Sequence, residues 1–594
     1  MKQFFKFMFA SMVGFILASI VIVIVFFIAI VGIVSVAQSD KTVDVASNSV
    51  LKITLNTTIP ERTPNNPFAG LSFLGFDNDK SIGLNDILAN IKKAKTDANI
   101  KGIYLDESYL PAGQATIEEI RGALIDFKKS GKFVIAYSEI YTQSFYYLAS
   151  VADKVYINPK GIFMFHGFSS NITFLKGALD KLGVEAQIIK VGTYKSAVEP
   201  FFLTKMSDAN RQQVTSYLGS MYDHFLVGIA ESRHINKDVL FNTANELKVR
   251  FPEDALKYKL VDGLKYKDEI LTELKTLTGI GKKDNLKSVD LGDYTKSTAS
   301  TDEEDVKVSK NRIAVVYASG EISGGEGDDN TIGSENISKA LRQVRLDDKV
   351  KAVVLRVNSP GGSSLASDVI WREVMLTKKV KPIIVSMGDL AASGGYYIAC
   401  AADSIYAQPN TITGSIGIFA ILPNMQKLFN DKLGITFDGV KTGKYADLGS
   451  IDRPLTPEER AILQSQVDHG YNDFTLAVAN GRHKTQEYIN SIGQGRVWTG
   501  EQALKIGLVD KLGNINDAIK SAAKKANLKG YKIVNYPEQK SIFSKLESGL
   551  SSHIKAHFIQ SELGEEYKYY QQVKAVSKMA RTPQARLPYD IEVQ

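Results

Sequence analysis

The sequence predicts an α/β protein in which two tandem homologous domains follow an N-terminal transmembrane helix. Three observations predict it: a long uncharged apolar run near the N-terminus, a repeat at an offset of 250 residues, and an alternation of short β-rich runs with amphipathic helical stretches within each repeat.

The apolar run comes first. From Phe7 to Ser39 no residue is charged, and that stretch exceeds the roughly 20 residues a helix needs to cross a bilayer core. The apolar part of a cleavable secretory signal is only about 7–15 residues long, so an uncleaved signal anchor over residues 1–46 is the preferred reading, although Ser35-Val36-Ala37 resembles a small-residue cleavage site. Lys2 and Lys6 precede the span and Asp40 follows it. The positive-inside rule then leaves the N-terminus in the cytoplasm and the rest of the chain on the periplasmic or outer side, with lipid contact over residues 7–37.

Beyond the anchor, the repeat organises the chain. IGLNDILANIKKAKTDANIKGIYLD, from Ile82, matches IGSENISKALRQVRLDDKVKAVVLR, from Ile332, and both read as a helix followed by a buried strand. The same offset aligns Tyr146–Ser150 with Tyr396–Cys400, and with a drift of one or two residues Arg233-His234 matches Arg482-His483. Strand-like runs at Ile313, Ala352 and Pro382, separated by helical stretches, predict βαβ units and a mainly parallel sheet. The expected organisation is a first domain over 47–289, a polar linker over 290–310, a second domain over 311–540 and a helical tail over 541–594, to which no chemistry is assigned.

Composition excludes several functions. The 72 basic and 65 acidic residues are interspersed and form no basic block, so nucleic-acid binding is not expected. The single cysteine, Cys400, cannot form an internal disulfide and reads as a buried small hydrophobe. Neither a CxxC pair nor a Cys/His cluster is present to hold a metal, and Gly324–Gly327 lacks the GxxxxGK[ST] pattern of a phosphate cradle. No metal or cofactor is expected.

The two halves diverge at a few polar positions, and these point to chemistry. After the strand ending at Val357 the second half reads Asn358-Ser359-Pro360-Gly361-Gly362-Ser363, where the first half reads Ser108-Tyr109-Leu110-Pro111-Ala112-Gly113. Paired glycines let backbone N–H groups face a ligand oxygen, as an oxyanion hole requires, whereas Pro111 has no N–H to offer. Ser393, in Ala391-Ala392-Ser393-Gly394-Gly395-Tyr396, has Gln143 as its counterpart. A serine among small residues at the start of a helix is open to substrate, and glutamine cannot be a nucleophile. Such a serine needs a base, yet none of the seven histidines lies in the Gly-rich segments of the second half. A lysine serves instead where burial lowers its pKa, and Lys195, in Gly192-Thr193-Tyr194-Lys195-Ser196-Ala197-Val198, sits among small and apolar neighbours.

Taken in order, TYKSAVEPF, NSPGGS, LAASGGYYIA and TITGSIGIF closely resemble the long, duplicated form of bacterial signal peptide peptidase, also called protease IV. The resemblance covers nearly the whole chain after the anchor. It implies a ClpP/crotonase-like fold and a Ser/Lys dyad assembled between the halves, with Ser393 as nucleophile, Lys195 as general base and Ser415 orienting the lysine. The mechanism it implies runs through an acyl-enzyme, with Gly361, Gly362 and Gly394 supplying the oxyanion donors. It also implies a homotetramer on the outer face of the cytoplasmic membrane, acting on released signal-peptide fragments and other apolar peptides. Lys444 is the rival base, since it aligns with Lys195 after a one-residue shift and the short family members use the lysine of that region. Two other readings stand beside this one: a crotonase-like acyl-CoA enzyme, disfavoured by the external location, and a non-catalytic membrane scaffold.

Overall fold

Parallel strands between helical layers account for both halves of the chain. The computed structural model describes residues 2–37, 42–64, 81–297, 309–328, 331–539 and 583–587. Residues 38–41, just after the Ser35-Val36-Ala37 motif, lie outside this set, as do the middle of the expected linker, 298–308, and most of the expected helical tail, 540–582 and 588–594.

Lys2–Ala37 is one helix of 36 residues. At 1.5 Å per residue it is about 54 Å long, more than a bilayer core is thick. Its segment Gln3–Ile22 is apolar enough to cross a membrane and buries nothing against the rest of the chain.

The first half is built on a six-stranded sheet in the order Gly263–Leu264, Lys154–Phe163, Phe133–Tyr141, Ile100–Asp106, Ser49–Ile53, Ser288–Asp290, parallel throughout. The corresponding sheet of the second half runs Val497–Thr499, Ile412–Gly414, Ile383–Ala392, Val350–Ser359, Arg312–Ser319, Lys532–Tyr536, with only the Val497–Thr499 pairing antiparallel along that path. A parallel sheet covered on both faces wants continuous apolar strands, and IAVV at Ile313 and AVVL at Ala352 are buried without interruption. The two repeat helices, Leu84–Thr96 and Ser334–Leu346, each bury an i, i+4 pair, Ile87 with Ile91 and Ile337 with Leu341. Arg233-His234 and Arg482-His483 close the long helices Asp208–Arg233 and Pro457–Arg482, each histidine turning left-handed at the C-cap while the arginine pairs with Asp262 or Asp510. Cys400 is buried, and that burial pushes its thiol up to about 12.

The stretch read as linker from residue 290 begins with ordered structure of the first half. Ser288–Asp290 pairs beside Ser49–Ile53, and the short helix Leu291–Tyr294 buries Leu291 and Tyr294 in the first core. Those two apolar side chains in an otherwise polar segment are the physical reason. The C-terminal region likewise contributes a strand, Gln584–Arg586.

Among the features that join the halves are a shared sheet and a buried ion cluster. A seven-stranded sheet runs Gly327–Asp328, Thr331–Gly333, Glu321–Ser323, Gly361–Ser363, Gln584–Arg586, Phe419–Asn424, Glu185–Lys190, so a first-half strand is hydrogen-bonded antiparallel to a second-half strand over six residue pairs. Arg356, fully buried in the second half, reaches the first half through Glu61 (Nε to Oε2, 2.8 Å) and Glu119 (Nη1 to Oε1, 2.8 Å). Asn358 Nδ2 donates to Glu61 at 2.9 Å, and Asp389 accepts from the Thr116 backbone N–H at 2.9 Å. Removing one partner from such a buried ion pair leaves an uncompensated charge, at a cost of about 3–5 kcal/mol.

Candidate active site

The cross-half strand pair sets the position of Lys195. Glu185–Lys190 is fixed on Phe419–Asn424, and five residues later Lys195 enters a gap in the second half. Val191 N–H donates to Ile418 O at 3.0 Å, and Tyr194 N–H donates to Gln494 O at 2.8 Å. Gln213 Nε2 donates to the Tyr194 carbonyl (3.0 Å) and to Ser196 Oγ (2.7 Å), while its Oε1 accepts from Val497 N–H (3.2 Å). This loop is therefore held from both halves.

Lys195 is fully buried. Its Nζ lies 2.8 Å from Ser393 Oγ, 3.1 Å from Ser415 Oγ and 3.1 Å from the Ser415 carbonyl. Desolvation drives its amine well below the usual lysine range, and among the described residues no neighbouring carboxylate opposes that shift. A neutral amine at hydrogen-bond distance from a hydroxyl is what a general base requires.

Ser393 stands between the strand Ile383–Ala392 and the helix Gly394–Ala399 at φ 55°, ψ −114°. Residues with side chains rarely adopt that conformation, at a cost of order 1–3 kcal/mol. It is held by Ser393 N–H donating to Gly414 O (2.8 Å) and by Tyr397 N–H donating to Ser393 O (2.8 Å). Ser415 also lies at positive φ, 50°, and its N–H donates to Arg496 O at 2.7 Å.

The three glycines expected as oxyanion donors are not equivalent. Gly394 opens its helix, so its N–H is one of those a helix leaves without an intrahelical acceptor. At φ 97°, Gly361 brings its backbone so close that a Cβ would stand 2.8 Å from Gly394 N. Its own N–H, however, donates to Ser359 Oγ at 3.1 Å. Gly362 is turned into the sheet, opposite Ile322 and Ala585.

Lys444 is not brought to this cluster. It lies in an exposed segment with its Nζ over the Tyr445 ring, 5.2 Å from the centroid, and its pKa is raised by the Tyr445 contact. The aligned place in the first half is plugged: Gln143 Oε1 accepts from His166 N–H (3.1 Å) and Gly167 N–H (3.0 Å), its Nε2 donates to Gly167 O (2.9 Å), and Phe165, aligned with Ser415, is buried among aromatic rings.

Three residues of the site are not evident from the sequence. Gln213 has no local signal, because what it holds lies on other elements. Gly417 and Gly495 make room for the lysine: a Cβ on Gly417 would stand 3.1 Å from Lys195 Cδ, and one on Gly495, at φ 77°, would stand 2.6 Å from Lys195 Cα. Only their glycine identity marks them. Among the described residues no group of three or more His, Cys, Asp or Glu is arranged to hold a metal ion.

Comparison with known proteins identifies the family. The model of peptidase family S49 matches residues 126–281 and 375–529, one segment in each half, and the Clp protease model matches residues 308–413. The chain is 38% identical over 499 residues to Protease 4 of Salmonella typhi, covering 82% of this chain and 79% of that one. It is 38% identical over 457 residues to Protease 4 of Haemophilus influenzae (75% and 74% covered) and 34% identical over 489 residues to the chloroplastic serine protease SPPA of Arabidopsis thaliana (82% and 70%). With both halves matched by one family model and relatives aligned over most of their length, the chain belongs to peptidase family S49 and is a serine peptidase.

Proposed function

We propose that the protein is a membrane-anchored serine endopeptidase that degrades cleaved signal peptides and other apolar peptides. The observation that carries this reading is the 2.8 Å approach of the buried Lys195 Nζ to Ser393 Oγ. Neutral Lys195 takes the Ser393 hydroxyl proton as Oγ bonds to the peptide carbonyl carbon. Ser415 orients the amine, and backbone N–H groups of the Gly361, Gly362 and Gly394 region, Gly394 foremost, stabilise the oxyanion. The lysine then passes its proton to the departing amide nitrogen, the C–N bond breaks, and an acyl-enzyme remains. Water, deprotonated by the same lysine, releases the product and regenerates the serine.

The apolar helix Gln3–Ile22 supports attachment to the bacterial inner membrane, with Lys2 and Lys6 on the cytoplasmic side and the catalytic part outside. That position favours apolar substrates released into or beside the bilayer. In this reading the first domain supplies the base, the second supplies the nucleophile, and the protein works as a homotetramer. The test is hydrolysis of an apolar signal-peptide fragment by the detergent-solubilised protein and by its Ser393→Ala, Lys195→Ala and Lys444→Ala variants. Loss in the first two alone is expected; full activity in Ser393→Ala would sink the reading.

A further inference from the structure

Arg496 stands directly before the strand Val497–Thr499 and is engaged twice, through its main chain and through its side chain. Its carbonyl accepts from Ser415 N–H at 2.7 Å, and its own N–H donates to Gly493 O at 2.9 Å. Its guanidinium lies against two rings, with Cζ 4.3 Å from the centroid of Trp498 and 5.0 Å from that of Tyr194. Both distances are inside the roughly 6 Å over which a cation is drawn to an aromatic face. Among the described residues no carboxylate competes for this cation, and its Nε is buried without a hydrogen-bond partner. The rings are fixed in turn: Trp498 Nε1 donates to Ile492 O at 3.0 Å, and the Tyr194 hydroxyl donates to Gln212 Oε1 at 3.0 Å.

Tyr194 belongs to the first half and directly precedes Lys195, whereas Ser415 belongs to the second half and meets the lysine amine through both its hydroxyl and its carbonyl. One residue therefore holds both the loop that carries the amine and the serine that receives it, across the boundary between the halves. The repeat supplies a control. The offset of 248 that aligns Ala255 with Ala503 sets Lys248 against Arg496 and Arg250 against Trp498. The half that has Gln143 in place of the serine thus has neither the arginine nor the ring at those places, and its Lys248 pairs with Glu246 at 3.0 Å instead. A planar, weakly hydrated guanidinium stacks on rings in a way that an ammonium does not. We propose that Arg496 is a positioning residue for the dyad, whose guanidinium, held against Trp498 and Tyr194, sets where Lys195 stands relative to Ser393 and Ser415. This rests on the peptidase reading, in which Lys195 is the base.

The experiment uses the full chain in detergent and a fluorogenic apolar peptide. Arg496→Met keeps the main-chain bond to Ser415 and removes only the cation. Its kcat is expected to fall roughly tenfold to a hundredfold at unchanged KM, because a base displaced by about 1 Å slows the chemistry and not peptide binding. Tyr194→Leu is expected to lose as much, and Tyr194→Phe, which keeps the ring, to recover most of that loss. In the double variant Tyr194→Leu, Arg496→Met the loss should be no larger than in either single variant, as for two groups acting as one, whereas general loosening of the fold would multiply the two losses. A kcat for Arg496→Met within about twofold of wild type, or losses that multiply in the double variant, overturns the proposal and leaves the peptidase reading standing. Should Arg496→Met not fold, equal kcat in Tyr194→Leu and Tyr194→Phe overturns it and a lower kcat in Tyr194→Leu supports it. A wild-type chain that hydrolyses no peptide overturns the peptidase reading, and the proposal with it.

Discussion

Lys195 Nζ and Ser393 Oγ lie 2.8 Å apart although 198 residues separate them, and the contact is made across the boundary between the two halves. Its electrostatics follow from burial. With no carboxylate beside it among the described residues, the amine gives up its proton well below the usual lysine range, and activity is expected to rise with pH as Lys195 loses its proton. A pH profile of kcat/KM for wild type and Lys444→Ala checks this; the two profiles should coincide, because Lys444 is exposed and paired with Tyr445.

Substituting Lys195 by Met should slow catalysis severely yet stabilise the fold. Between the depressed pKa of the folded chain and 10.5, the unfolded chain binds a proton that the folded chain does not, so wild-type stability rises with pH over that window and is reduced below it. Methionine removes the proton and with it the slope. Thermal melts at pH 7 should give a higher Tm for Lys195→Met, and kcat should fall roughly 10²–10⁴-fold, the usual contribution of a general base.

Ser415 Oγ accepts from the lysine amine, which also reaches the nucleophile. For Ser415→Ala we expect kcat to fall roughly tenfold to a hundredfold with KM unchanged, since an incorrectly aimed base slows the chemistry without altering peptide binding. An unchanged thermal melt for Ser415→Ala beside that loss of kcat would separate positioning from packing.

Gly495→Ala introduces a methyl group 2.6 Å from Lys195 Cα at a backbone angle that favours glycine. Overpacking of this kind costs about 1–3 kcal/mol. Chemical denaturation should register that loss together with a fall in activity larger than that of an equally destabilising core variant elsewhere.

Arg356→Met leaves Glu61 and Glu119 buried without their cation. Glu119 is already pushed up to about 7, by burial above all and also by Glu61, against the pull of Arg356. A destabilisation of about 3–5 kcal/mol is expected, largely recovered in the triple variant Glu61→Gln, Glu119→Gln, Arg356→Met. Denaturation midpoints measured at constant pH check both.

Much of the fold and the site was legible in the sequence because the repeat presents each position against a control. Ser393 stands out against Gln143 and Ser415 against Phe165, and in the structure both counterparts are built into packing that leaves no site. Paired glycines were legible as a motif but not as individual donors: that Gly361 gives its N–H to Ser359 depends on how the turn closes. Gln213, Gly417 and Gly495 were not legible, because their roles arise from which surfaces meet and not from their own neighbours. The same holds for the C-terminal segment, whose polar and Pro-containing sequence has no strand periodicity and becomes a strand only because an edge is there to receive it.

The pairing of Glu185–Lys190 with Phe419–Asn424 has a consequence for synthesis. A ribosome that has made the first half has produced the lysine without its serine, and the strand that aims the lysine has no partner until residue 424 has emerged. Under the proposed mechanism, chains that end before residue 424 are therefore inert, and the incomplete protein does not threaten neighbouring polypeptides during its own synthesis.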